Sequence, residues 1–121
     1  MKSTEELLKI AVAALEDIKA NDIRVMDVSK LTSLCHYMIV ASADSTRQTK
    51  ALANHVHEKV KAAGEPIHSI EGEQTGEWLL VDLGDIIVHI MQPAIRSYYD
   101  LEGLWADAAW QTSQKSPAVS G

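Results

Sequence analysis

The side chains of this 121-residue chain that could do chemistry are few, and their spacing restricts what they could do. Asp82 and His89 fall on the two limbs of one apolar hairpin pattern, an acid that could orient an imidazole base. Neither has a Ser or Cys nucleophile near it in sequence. Asp82-x-x-Asp85 offers two carboxylates to a cation, but a hairpin turn is an ordinary place for Asp. His55-x-His57 lies in a helical stretch, where i and i+2 do not share a face, so it is a weak metal signal. Cys35 is the single cysteine, which excludes an internal disulfide and a Cys-rich zinc site; with no partner motif it reads as a small buried residue. Ala41 to Thr46 (ASADST) joins a strand to a helix N-terminus, which could hold an anion, although helix capping accounts for the same residues. No catalytic set, metal site or cofactor motif emerges.

The elements that must position these residues follow from periodicity. Ser3 with Glu6 is a capping box, and Leu7, Leu8, Ala11, Ala14, Leu15 and Ile18 continue at helical spacing, predicting a helix over 4–20. Ile23 to Val28 alternates as a strand, and Tyr37 to Ala41 is a continuous apolar run suited to a central strand buried on both faces. Ser45 with Gln48 opens a second helix through Leu52, Val56, Val60 and Ala63, stopping at Gly64. Ile67 to Ile70 reads as a short edge strand before the hairpin; Ala94 to Tyr99 and Leu101 to Trp105 read as short helical pieces. This order predicts one α/β (α+β) domain over residues 1–108, a mixed five-stranded sheet with helices on one face, followed by a disordered polar tail over 109–121. No apolar run approaches the roughly 20 residues of a membrane helix. The opening Met1-Lys2-Ser3-Thr4-Glu5-Glu6 turns acidic at once, unlike a secretory signal, so a cytoplasmic protein is expected.

The hairpin carries the most information. Taking Gly84-Asp85 as its two-residue turn pairs Leu83 with Ile86, Asp82 with Ile87, Val81 with Val88, Leu80 with His89, Leu79 with Ile90 and Trp78 with Met91. One face then holds Leu79, Val81, Val88 and Ile90, the seat for the helices. The other holds Trp78, Leu80, Asp82, Ile87, His89 and Met91, apolar but interrupted by an acid and an imidazole. With only two long helices available, this second face is expected to be incompletely covered and to mark a protein interface. The alternative is that the segments around Tyr98, Tyr99, Leu104 and Trp105 fold back over it.

Charge points the same way. Residues 71–107 hold eight acids and one base, Arg96, for a net −7, while residues 1–70 are neutral. Such a surface suits a basic protein and predicts little or no direct nucleic-acid binding, which needs Lys and Arg on phosphates. The acids serve solubility equally well.

Three stretches carry a resemblance: "YMIVASADSTRQ" (Tyr37–Gln48), "EGEQTGEWLLVDLGDIIVHIM" (Glu71–Met91) and "RSYYDLEGLW" (Arg96–Trp105). In this order the chain resembles the ribosomal silencing factors (RsfS, or Iojap family) over about residues 5–107. The resemblance implies binding to the large ribosomal subunit through ribosomal protein L fourteen, a block to small-subunit joining, and reduced translation when nutrients are short. It implies a nucleotidyltransferase-like fold without that fold's catalytic carboxylates, since the strand-to-helix turn here lacks a Gly-Ser followed by Asp-x-Asp. The family's hairpin motif falls on Trp78, Leu80, Asp82, Gly84, Asp85, His89 and Met91, and its C-terminal motif on Arg96, Tyr99, Leu101, Glu102, Leu104 and Trp105. From these, Trp78, Leu80, Asp82, His89, Met91, Tyr99 and Trp105 are the expected partner-binding residues. Ala43 replaces the family's common Gly, and His36 stands where it commonly has an acid. The expectation is a non-enzymatic binder without cofactor. Two other readings stay open: a metal-dependent nucleotidyltransferase using Asp82, Asp85 and the Ser42–Ser45 turn, and a homodimerisation module.

Overall fold

The computed structural model describes residues 3–105 and the backbone of 109–112. Helix α1 (Thr4–Asp17) begins on the expected capping box: the Ser3 hydroxyl accepts from the Glu6 amide at 3.1 Å while the Glu6 carboxylate accepts from the Ser3 amide at 2.9 Å. It ends three residues before the predicted boundary, because Lys19 turns left-handed (φ 61°) to start β1 (Asn21–Asp27). Strand β2 (Tyr37–Ser42) is buried along its whole length, as its unbroken apolar run predicts.

Helix α2 (Thr46–Ala62) is capped by Ser45, whose hydroxyl accepts from the Gln48 amide at 3.1 Å. The Gln48 side chain does not close the box; its amide nitrogen donates to the Ile18 carbonyl at 3.5 Å, tying α2 to the end of α1. His55 reaches Asp17 at 3.1 Å and makes a second tie between the two helices rather than a metal ligand. Strand β3 is Ser69–Glu71, two residues later than expected at its start.

The hairpin is β4 (Trp78–Asp82) and β5 (Ile86–Met91), followed by α3 (Pro93–Tyr99) and α4 (Leu101–Leu104). Asp100, left-handed at φ 48°, ends α3 and caps α4 by accepting from the Gly103 amide at 3.1 Å. Strand β6 (Ala109–Thr112) pairs with β1, giving the sheet order β3-β4-β5-β2-β1-β6, with β2–β5 parallel and every other pair antiparallel.

The mixed sheet and its five expected strands are therefore present. The sixth falls in the segment expected to be tail, where polar composition gave no sign of it. What composition does not register is that the outer edge of β1 offers backbone donors and acceptors that four residues can satisfy. Residues 113–121 of that segment lie outside the described residues.

Two apolar cores flank the sheet. The larger joins α1 and α2 to Leu79, Val81, Val88 and Ile90 of the hairpin and to Ile23, Ile39 and Ala41. The smaller lies on the opposite face, where Ile95, Leu101 and Trp105 from the α3–α4 segment pack against Met26, Met38, Val40 and Met91. Helices expected on one face thus lie on both. Two long helices cover one side, and the short C-terminal pieces fold back over the other.

Candidate functional site

The hairpin turns where predicted. Leu83 donates its amide to the Ile86 carbonyl at 2.9 Å around Gly84-Asp85, and Gly84 sits at φ 91°, a conformation costly for any residue with a Cβ. Asp82 Oδ1 accepts from the Gly84 amide at 2.8 Å and stiffens the turn. The register pairs Trp78 with Met91, Leu80 with His89 and Asp82 with Ile87. As alternation assigned them, Leu79, Val81, Val88 and Ile90 lie in the larger core and Trp78, Ile87 and Met91 in the smaller.

Exposure within the second face departs from the expectation. Met91 is fully buried and His89 is 6% exposed; Trp78, Leu80, Asp82, Ile87 and Trp105 are half-buried. The Tyr99 ring lies 4.8 Å from the Trp78 ring, and Trp105 belongs to the same small core. Met91, expected as a partner contact, therefore sits beneath α3 and α4, and His89, expected likewise, is buried rather than at the surface. The reason is hydrophobic: without α3–α4, Met26, Val40 and Met91 would face water.

Covering the strand face creates a new surface. Tyr98 is 80% exposed, Leu104 71% and Tyr99 51%, with the Tyr98 and Tyr99 rings edge to face at 5.0 Å. Sequence reasoning did not place Tyr98 or Leu104 among the expected partner-binding residues. The signal available was their place on helices of seven and four residues, too short to bury every apolar side chain they carry.

His89 does not pair with Asp82, whose carboxylate serves the turn. The Trp78 indole Nε1–H donates to His89 Nδ1 at 3.0 Å. Burial pushes the His89 pKa down to about 4, so the ring is neutral at pH 7; with Nδ1 accepting, its proton is on Nε2.

A second arrangement holds α3–α4 in place. Arg96 is 8% exposed and donates through Nε and Nη2 to Glu102 Oε2 at 3.0 and 2.8 Å. Its Nη1 donates to the Asp22 carbonyl and to Ser42 Oγ, both at 2.8 Å, and Asp22 Oδ2 lies 3.5 Å from Nη2. One guanidinium thus joins β1, β2, α3 and α4. Ser42, offered by the sequence as part of an anion-binding turn, is occupied as an acceptor for Arg96. Sequence reasoning placed Arg96 in the C-terminal motif without a structural role, yet a lone base among eight acids was a sign of internal pairing.

An open depression of about 700 Å³ adjoins this network, with Asp22, Asp44, Asp100 and Glu102 among its lining residues. Among the described residues, no three His, Cys, Asp or Glu side chains are grouped to hold a metal ion. Cys35 is buried, and burial together with Asp82 and Asp85 pushes its thiol pKa up, which disfavours the nucleophilic thiolate. The two departures from the family pattern are accommodated locally. Ala43 is fully buried, with its amide 3.4 Å from the Met91 carbonyl, and His36 stacks on Tyr37 at 4.3 Å beside Asp27. No helix among the described residues is long and apolar enough to cross a membrane.

Comparison with known proteins completes the picture. The family model described as "Ribosomal silencing factor during starvation" matches residues 1–120. The Chromobacterium violaceum protein named "Ribosomal silencing factor RsfS" is 58% identical over 101 residues, covering 84% of this chain and 83% of that one. The Bacillus subtilis protein of the same name is 36% identical over 104 residues, covering 86% and 88%. A crystal structure of a Chromobacterium violaceum protein, 52% identical, superposes with a TM-score of 0.85 over 99% of this chain and 95% of that one.

Proposed function

This chain belongs to the ribosomal silencing factor family, and from that premise we propose that it binds the large ribosomal subunit and keeps the small subunit from joining. The contact is with ribosomal protein L fourteen, and the result is repressed translation under nutrient limitation. The observation that carries the reading is the aromatic surface of Trp78, Tyr98 and Tyr99, with Leu104 exposed on α4, in an acidic stretch whose one base is buried. Exposed Tyr and half-exposed Trp are the residues most often found anchoring interfaces. With Arg96 turned inward against Glu102, the carboxylates left on the hairpin and α3–α4 present one sign of charge to a basic ribosomal protein.

The protein acts by occupying a surface, in the cytoplasm, with no chemical step, no cofactor and little or no direct contact with nucleic acid. A nucleotidyltransferase-like enzyme would use Asp82, Asp85 and the Ser42–Ser45 turn, but Asp82 accepts from the Gly84 amide, Ser42 from Arg96 and Ser45 from the Gln48 amide. Calorimetry with nucleoside triphosphates and Mg²⁺ tests that rival, and heat of binding there would favour it. A second copy of the chain is the other possible occupant of the aromatic surface, and sedimentation equilibrium reports it.

The decisive experiment is co-sedimentation with purified large subunits, followed by light scattering of subunit joining. The chain is expected to pellet with large subunits and to slow joining. Failure to pellet at micromolar concentration would refute the proposal.

A further inference from the structure

We propose that His89 is the positioning residue of this docking surface: its Nδ1 locks the Trp78 indole, and through it the Tyr99 ring, in the geometry that a partner meets. The inference rests on the docking reading above, but gives His89 a different part from the contact residues. At 6% exposure the imidazole cannot be one of them. Its place on β5, two residues from the direct partner of Trp78, makes it the diagonal neighbour of the indole across the β4–β5 pair.

The contacts run without a break from strand to surface. The indole N–H meets His89 Nδ1 at 3.0 Å, with the two rings tilted by 49°. The indole also meets Tyr99, centroids 4.8 Å apart, and Tyr99 meets Tyr98 edge to face. Trp78 opens β4 and is only half-buried, so packing alone leaves its ring room to turn. A hydrogen bond from the one polar atom of the indole removes that freedom before the partner arrives, which strengthens binding without adding a contact. A neutral ring is required, since an imidazolium has no acceptor; burial supplies it.

The test compares amides that carry the acceptor at different reach. H89N places its side-chain oxygen where Nδ1 stands, whereas H89Q carries it one carbon further, near the position of Nε2. H89L removes the acceptor altogether. Each is made in the 121-residue chain and measured for large-subunit co-sedimentation, melting temperature and the indole N–H resonance of Trp78, assigned with W78F.

H89N is expected to bind within about threefold of wild type and to keep the shifted indole resonance; H89Q and H89L are expected to bind roughly tenfold more weakly, with that resonance moved towards free indole. Should H89L fail to fold, the H89N and H89Q pair still decides. Equal binding by all variants, or an indole resonance unmoved in H89Q, overturns the proposal. A wild-type chain that does not pellet with large subunits would instead refute the docking reading, while the indole resonance would continue to report on the lock itself.

Discussion

Replacing Arg96 with alanine should release the α3–α4 segment from the sheet while leaving the rest of the fold standing. The guanidinium is buried and bonded to Glu102, Ser42 and the Asp22 carbonyl, so the substitution strands three acceptors at once. Removing one partner of a buried ion pair costs about 3–5 kcal/mol. The Glu102 side chain is 22% exposed and regains some water, which puts the cost at the lower end, about 3 kcal/mol. That loss falls on one segment, because α1, α2 and the larger core make no use of Arg96. A local loss of about 3 kcal/mol raises the population with α3–α4 detached by roughly a hundredfold. Hydrogen exchange read by mass spectrometry should then show protection lost over Pro93–Leu104 and kept over Thr46–Ala62, with large-subunit binding lost as well. R96K keeps the charge but not the planar fork, and should fall between. Unchanged exchange over Pro93–Leu104 would refute the reasoning, as would loss of protection throughout the chain.

Trp78→Ala should lower both stability and affinity: half the usual cost of a buried Trp→Ala plus an orphaned His89 acceptor comes to at least about 2.5 kcal/mol. Thermal unfolding should show a fall of about 10 °C and co-sedimentation at least a tenfold weakening; an unchanged melting point would mean the ring is not packed as described. Acid should destabilise the protein through His89, because its pKa is near 4 when folded and 6.5 when exposed. The unfolded chain takes up the proton first as pH falls, so this stability is complete above about pH 6.5 and lost towards pH 4, up to about 3 kcal/mol. Urea unfolding at pH 7 and pH 5 should show H89N losing about 2 kcal/mol less than wild type over that step, and equal losses would count against it. Binding to large subunits should weaken only moderately between 50 and 200 mM salt, since acids around an apolar surface tune encounter more than they hold the complex; a loss of about a thousandfold would indicate phosphate contacts instead.

The hairpin was legible residue by residue because two constraints agree there. A two-residue turn at Gly84-Asp85 sets the register, and strict alternation then assigns Leu79 and Val81 to one face and Trp78 and Leu80 to the other. Burial was less legible, since it depends on what lies over a face. Nothing in the spacing of Ile95, Leu101 and Trp105 decides whether short helices pack on Met91 or stand away from it. The Trp78–His89 bond was present in the pattern as a diagonal pair, but the nearer acid, Asp82, drew the assignment to itself. Strand β6 was hidden for another reason: its partner is the edge of β1, about 85 residues earlier, and edge pairing makes modest demands on side chains.

That six-stranded sheet also limits its own growth. A strand with a free edge is a template for the next chain, and the danger rises with its length and flatness. Here the outermost strands are β3, three residues ending on Glu71, and β6, four residues. The seven-residue β1, carrying Ile23, Val25 and Met26, is kept inside by β6. Self-templating is blocked at both ends by pieces too short to recruit a neighbour, so the protein can keep its adhesive aromatic residues on a helical surface, where contact with another molecule does not propagate.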